Sequence, residues 1–130
     1  MGDNQTMIAI GAGCRKGCPA DEIVALIREA LKSVPGTLAQ GLFTIAEKRG
    51  ERGLEQAAAE LELPLVFLDK ATLQGVAVEA RFHSRRVEEM YGLPSIAETA
   101  ALAGAGQGAI LLVTRRASAS ATCAIAGAPS

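Results

Sequence analysis

Met7-Ile8-Ala9-Ile10-Gly11-Ala12-Gly13-Cys14-Arg15-Lys16-Gly17-Cys18-Pro19 is the stretch on which the fold turns. Its apolar opening reads as a strand from Met7 to Gly11. Pro19 reads as the first residue of a helix, because its fixed φ and missing N–H suit that position. Between strand and helix lie glycines 11, 13 and 17, two thiols and two fixed positive charges. A strand-to-helix loop of this kind gathers backbone N–H groups at a helix start, where an anion can be held. The stretch therefore predicts a binding site at one edge of a sheet, for a negatively charged ligand.

Working outward, the helix from Pro19 carries Ile23, Ile27, Ala30, Leu31 and Val34 on one face, the stripe of an amphipathic helix. Asp21 and Glu22 suit its N-terminal dipole and compete with any anion there. Val34-Pro35-Gly36 stops it. Leu42–Ala46 is a second strand. Leu54, Ala57, Ala58 and Leu61 mark the inner face of a second helix, closed by Pro64. Leu65–Leu68 is a continuous apolar run, the pattern of a strand covered on both sides. The order βαβαβ implies parallel strands joined by crossover helices.

Past this point the pattern changes. Asp69 caps a short turn through Leu73, and Gly75 to His83 has no clear period. Ser84 caps a helix through Tyr91 that Gly92-Leu93-Pro94 ends. Ser95-Ile96-Ala97-Glu98 is a capping box that opens an alanine-rich helix to about Gly104. Ala109–Thr114 and Thr122–Ala126 are apolar strands whose linker is too short for a helical crossover, so they form a hairpin. The expected fold is a single α/β domain over residues 1–130. Its sheet is mixed and mainly parallel, flanked by helices, with a C-terminal antiparallel hairpin. Gly127–Ser130 is expected to fray.

Length and composition narrow the class. A chain of 130 residues buries enough surface to need no staple. With no Trp and a net charge of −1, nothing resembles the basic, aromatic-studded surface of a nucleic-acid module. No apolar run approaches the roughly 20 residues that span a bilayer, and no signal-peptide zoning is present. Met1-Gly2 with Thr6 matches a myristoylation pattern only loosely, without a polybasic partner. Three cysteines do not make a secreted disulfide framework. The expectation is a reduced, cytoplasmic protein without nucleic-acid or membrane partners.

The candidate chemistry lies in loops. Arg15-Lys16, then Arg81, Arg85 and Arg86 around His83, then Arg115-Arg116 form three basic groups. If two converge, they make a cationic rim for a ligand with several carboxylates; taken singly, each of the first two reads equally well as solvated surface charge, and Arg115-Arg116 reads better so. The side of the sheet on which the third group falls depends on a strand direction that the sequence leaves open. Cys14 and Cys18 are spaced unlike a zinc or redox pair, and no metal or cofactor is expected. Cys14, beside two cations and near a helix start, is a candidate for a lowered pKa and a nucleophilic role. A buried, inert thiol fits it equally well. His83 is a weak candidate base, and no second group completes an acid–base pair.

Taken together, several of these segments resemble one family. Gly11-Ala12-Gly13-Cys14-Arg15-Lys16-Gly17 is followed by Ala20-Asp21-Glu22-Ile23. Downstream come Leu63-Pro64-Leu65, Ser84 with Val87, Gly92-Leu93-Pro94-Ser95-Ile96-Ala97-Glu98, and Thr122-Cys123-Ala124-Ile125-Ala126. In this order, from Met7 to Ala126, the chain resembles the cobalamin biosynthesis family that comprises CobE and the C-terminal domain of CbiG. It departs from the pattern at Cys18, where relatives often carry Ser or Thr. The resemblance implies a role in vitamin B12 biosynthesis, in the free-standing CobE form. It implies a precorrin or corrinoid intermediate as ligand and other enzymes of the pathway as possible partners. In CbiG-type proteins it implies opening of a precorrin δ-lactone. Corrin precursors are apolar macrocycles fringed with carboxylates, so the expected ligand-binding residues are Gly11, Gly13, Cys14, Arg15, Lys16, Gly17, Ser84, Arg85, Arg86 and Thr122. The alternatives are a pathway enzyme using Cys14 or His83, and a general anion-binding module.

Overall fold

The computed structural model describes residues 6–128. Five strands, β1 (Thr6–Cys14), β2 (Thr37–Ile45), β3 (Leu65–Leu68), β4 (Ile110–Ala117) and β5 (Ala121–Gly127), form one sheet in the order β3-β2-β1-β5-β4. β1, β2 and β3 run parallel, while β5 runs antiparallel to both β1 and β4. Two reversals bring β4 back into the direction of β1, so four of the five strands end at the same edge of the sheet. The mixed α/β fold expected from the sequence is the one observed.

Helices cover both faces. α1 (Ala20–Leu31) and α2 (Arg52–Leu61) pack on one. There Ile23, Val24, Ile27, Leu54 and Ala57 meet Ile8, Ile10, Leu42 and Ile125. Full burial of each of the larger side chains contributes roughly 1.5–3 kcal/mol. After β3 the chain crosses to the other face through α3 (Lys70–Gln74), α4 (Arg85–Tyr91) and α5 (Ile96–Ala105). α5 is buried without a break from Ile96 to Leu102, with Glu98 and Thr99 buried among its apolar residues. Its alanines let it lie close to the sheet. A Cβ on Gly11 would sit 2.0 Å from the carbonyl oxygen of Ala97 and 2.5 Å from the amide of Ala101.

Several expectations need correction. β1 does not stop at Gly11; it continues to Cys14, because β5 pairs with it from Ala124 opposite Gly11 to Ala121 opposite Cys14. The glycines at 11 and 13 thus belong to a central strand. β4 extends through Arg115 and Arg116, which leaves only three residues, 118–120, as the hairpin turn. β3 is an edge strand, half-buried along its length, because the chain leaves for the other face at Asp69 and adds no strand beyond it. β2 begins at Thr37, five residues earlier than its apolar core predicts. Gly127 pairs with Ile8 at the end of β5. Residues 129–130, at which fraying is expected from the sequence, and the Met1-Gly2 motif lie outside the described residues.

Candidate functional site

A cleft of about 440 Å³ opens where β1, β2 and β4 end, the location at which open α/β sheets bind ligands. β1 supplies Gly13 and Cys14 and runs out into Arg15 and Lys16. Lys48 follows β2, and Arg115 comes from the end of β4. The hairpin turn supplies Ser118, Ala119 and Ser120, and β5 supplies Ala121 and Thr122. α4 and its cap add Ser84, Arg86, Val87, Met90 and Tyr91, and the start of α5 adds Ser95 and Ile96. Among the described residues, five cationic side chains therefore line the cleft, and no Asp, Glu or His does. Val87, Met90, Tyr91 and Ile96 give it one apolar wall.

The local chemistry of the chain explains how each part arrives. Asp69 and Ser84 cap α3 and α4 by accepting from the amides of Thr72 and Val87 at 2.8 and 3.2 Å, and Gly92 ends α4 at φ 70°. The Ser84 amide donates to the Pro94 carbonyl at 2.8 Å, closing the α4 segment onto the start of α5. Ser95 caps α5 by accepting from the Glu98 amide at 3.1 Å. The other half of the expected capping box is absent. The carboxylate of Glu98, fully buried, turns outward instead. One oxygen accepts from the amides of Arg81 and Phe82 at 2.7 and 2.8 Å, and the other from the amide of Arg115 at 2.8 Å.

The hairpin turn is fastened from the opposite side. Glu22, in the first turn of α1, accepts from the Ser118 hydroxyl, from the Ser120 amide at 2.6 Å and from the Ser120 hydroxyl at 2.8 Å. These bonds, with that of Ser118 foremost, hold its carboxyl below the usual range. Glu51 accepts from the Gly17 amide at 2.7 Å. The amide that the sequence offers to an anion is thus taken by the protein's own carboxylate, and the positive edge of the cleft comes from side chains.

Of the residues singled out in the sequence, Gly13, Cys14, Arg15, Lys16, Ser84, Arg86 and Thr122 line this one cleft. Gly11 does not, being under α5. Gly17 turns away at φ 82° toward Glu51. Arg85 projects from the exposed side of α4, 4.0 Å from Glu89. His83 is exposed and outside the lining. The expected lowering of the Cys14 pKa is reversed: burial pushes the thiol up to about 11, with Lys48 opposing only in part. Burial also raises Cys18, and raises Cys123 to about 12. The third basic group divides across the sheet. Arg115 stacks 4.0 Å from the centre of the Phe82 ring and lines the cleft. Arg116 reaches the other face, where it donates to the Ser33 hydroxyl at 2.9 Å. Lys48, Tyr91, Ser118 and Ser120 are lining residues that the sequence does not single out. Lys48 had a signal in its place just past the end of a parallel strand.

The comparisons with known proteins agree with this architecture. Residues 8–126 match the family described as cobalamin synthesis G C-terminus. The chain is 38% identical to Protein CobE of a Sinorhizobium species over 123 residues, covering 92% of this chain and 79% of that one. It is 27% identical over 112 residues to the cobalt-precorrin-5A hydrolase of Priestia megaterium, covering 85% of this chain but only 29% of the hydrolase. The crystal structure of CobE, a protein from the cobalamin biosynthetic pathway, superposes with a TM-score of 0.85 at 36% identity, over 93% of this chain and 89% of that one. The cobalamin biosynthesis protein chiG of Agrobacterium tumefaciens superposes at 0.75 with 37% identity, over 95% and 99% of the two chains. The chain belongs to the cobalamin synthesis G C-terminus family and is a protein of the cobalamin biosynthetic pathway.

Proposed function

We propose that the cleft binds a precorrin or related corrinoid intermediate by its peripheral carboxylates, and that the protein serves the pathway as an accessory or carrier of that intermediate. The observation that carries this reading is the charge of the lining: Arg15, Lys16, Lys48, Arg86 and Arg115, with no lining carboxylate among the described residues. The two nearby acids, Glu22 and Glu51, are engaged by backbone amides and serine hydroxyls. A macrocycle laid with one edge in the cleft would set its acetate and propionate groups against the cations and its ring against Val87, Met90, Tyr91 and Ile96. Hydrogen bonds to charged groups contribute roughly 1.5–3 kcal/mol each. A few such contacts, offset by the loss of free motion on association, bring the affinity into the micromolar range, about −8 kcal/mol.

The arrangement supports binding better than catalysis. Neither Cys14, with its thiol pushed up to about 11, nor the outlying His83 makes an acid–base pair in the cleft. The test uses the protein's single tyrosine in a chain without tryptophan. Tyr91 lines the cleft, so titration with hydrogenobyrinic acid, a coloured polycarboxylate corrin, is expected to quench its fluorescence saturably. Arg15→Glu is expected to weaken that quenching about tenfold. Quenching no stronger than that of free tyrosine at the same absorbance would remove the proposal.

A further inference from the structure

The structure assigns Glu98 as the positioning residue that holds Arg115 ready for a ligand carboxylate. This rests on the reading of the cleft as a polycarboxylate site and deepens it. Glu98 is buried, yet its partners are three backbone amides that belong to two separate segments: Arg81 and Phe82 on the approach to α4, and Arg115 in β4. One carboxylate thereby fixes the backbone of Phe82 and the backbone of Arg115 relative to each other. Their side chains meet, with the guanidinium 4.0 Å from the ring centre.

A guanidinium stacked on an aromatic face keeps its edge N–H groups free for a planar, bidentate acceptor. It also has less rotamer freedom to lose when a ligand arrives. Of the five lining cations, Arg115 is the one stacked on an aromatic ring. We infer that it sets the orientation of the bound ligand, while the others supply attraction.

The test reads Arg115 directly. In 15N-labelled protein without ligand, the Arg115 Nε–H proton is expected to be shifted upfield by the Phe82 ring relative to the other arginines. Phe82→Leu should abolish the shift and leave the backbone bonds in place. Glu98→Gln sets an amide group where one carboxylate oxygen had accepted, so it cannot serve both segments; the shift should collapse toward the average arginine position. Should Glu98→Gln fail to fold, Glu98→Asp keeps the charge but is one methylene short of joining both segments, and is held to the same criterion. Affinity for hydrogenobyrinic acid should fall about tenfold in Arg115→Ala and about threefold to tenfold in Phe82→Leu and the Glu98 variant. An unshifted Arg115 signal in the parent protein, or a shift that survives in the folded Glu98 variant, overturns the assignment. So does an affinity unchanged in Arg115→Ala. If the parent protein binds no corrin at all, the polycarboxylate reading falls, and the ring shift alone decides whether Glu98 positions Arg115.

Discussion

Gly11 has no room for a side chain, and the obstacle is backbone. A Cβ there meets the Ala97 carbonyl and the Ala101 amide of α5, neither of which can rotate away as a side chain would. Gly11→Ala should therefore displace α5 from the sheet and cost about 3 kcal/mol, read as a lower denaturant midpoint; a loss under about 0.5 kcal/mol would contradict the packing. The same residue shows how a local pattern misleads. Gly-x-Gly-Cys-basic before a helix reads as an anion loop, whereas the first glycine serves contact between helix and strand. Cys14 makes the second point at this scale. Two adjacent cations in the sequence argue for an activated thiol, but burial raises it to about 11, and the cation that opposes this is Lys48, beyond the end of β2. Alkylation of Cys14 at pH 8 should be about a hundredfold slower than that of a free cysteine and should climb toward pH 11; an inflection at or below 8.5 would refute this. The raised pKa also has a consequence for stability. Between about pH 9 and 11 the unfolded thiol ionises while the folded one does not, so stability declines as pH rises through that window.

The element that completes the cleft is the β4–β5 hairpin, held by Glu22 of α1 through Ser118 and Ser120. The carboxyl of Glu22 is lowered in the folded state. Its stabilising contribution is present above about pH 4.5 and is lost as pH falls through the folded value. Thermal unfolding followed across pH 3–6 should show a decline in midpoint on the acid side, and Glu22→Gln should flatten part of it. An identical pH dependence in the variant would rule out this fastening. Element types were legible from the residues: α1 from its stripe, α4 and α5 from their serine caps, the hairpin from its short linker. Strand ends were not. β1 runs on through Gly13 and Cys14, and β4 through Arg116, because each is continued by cross-strand pairing with β5, a partner distant in sequence from β1. The direction of β4, which decides where Arg115 falls, also follows only from that pairing. So does the outward turn of Glu98, whose partners lie about 17 residues away on either side.

At the scale of the whole molecule, a chain with a net charge of −1 gathers five cations around one cleft and turns its nearby carboxylates to structural work. Affinity for a polycarboxylate should therefore weaken as salt rises, since exposed charges are screened within about 8–10 Å at physiological ionic strength; a salt-independent affinity would argue that the apolar wall alone holds the ligand. The most direct measurement is a titration of the purified protein into hydrogenobyrinic acid at low salt, followed by visible absorption. It compares the parent chain with Arg15→Glu/Arg86→Glu and with Arg28→Glu, a control on α1 that pairs with Glu60 away from the cleft. The account predicts a saturable band shift in the micromolar range, unchanged in the α1 control and lost in the double reversal. No shift in the parent chain, or equal affinity in all three proteins, would contradict it.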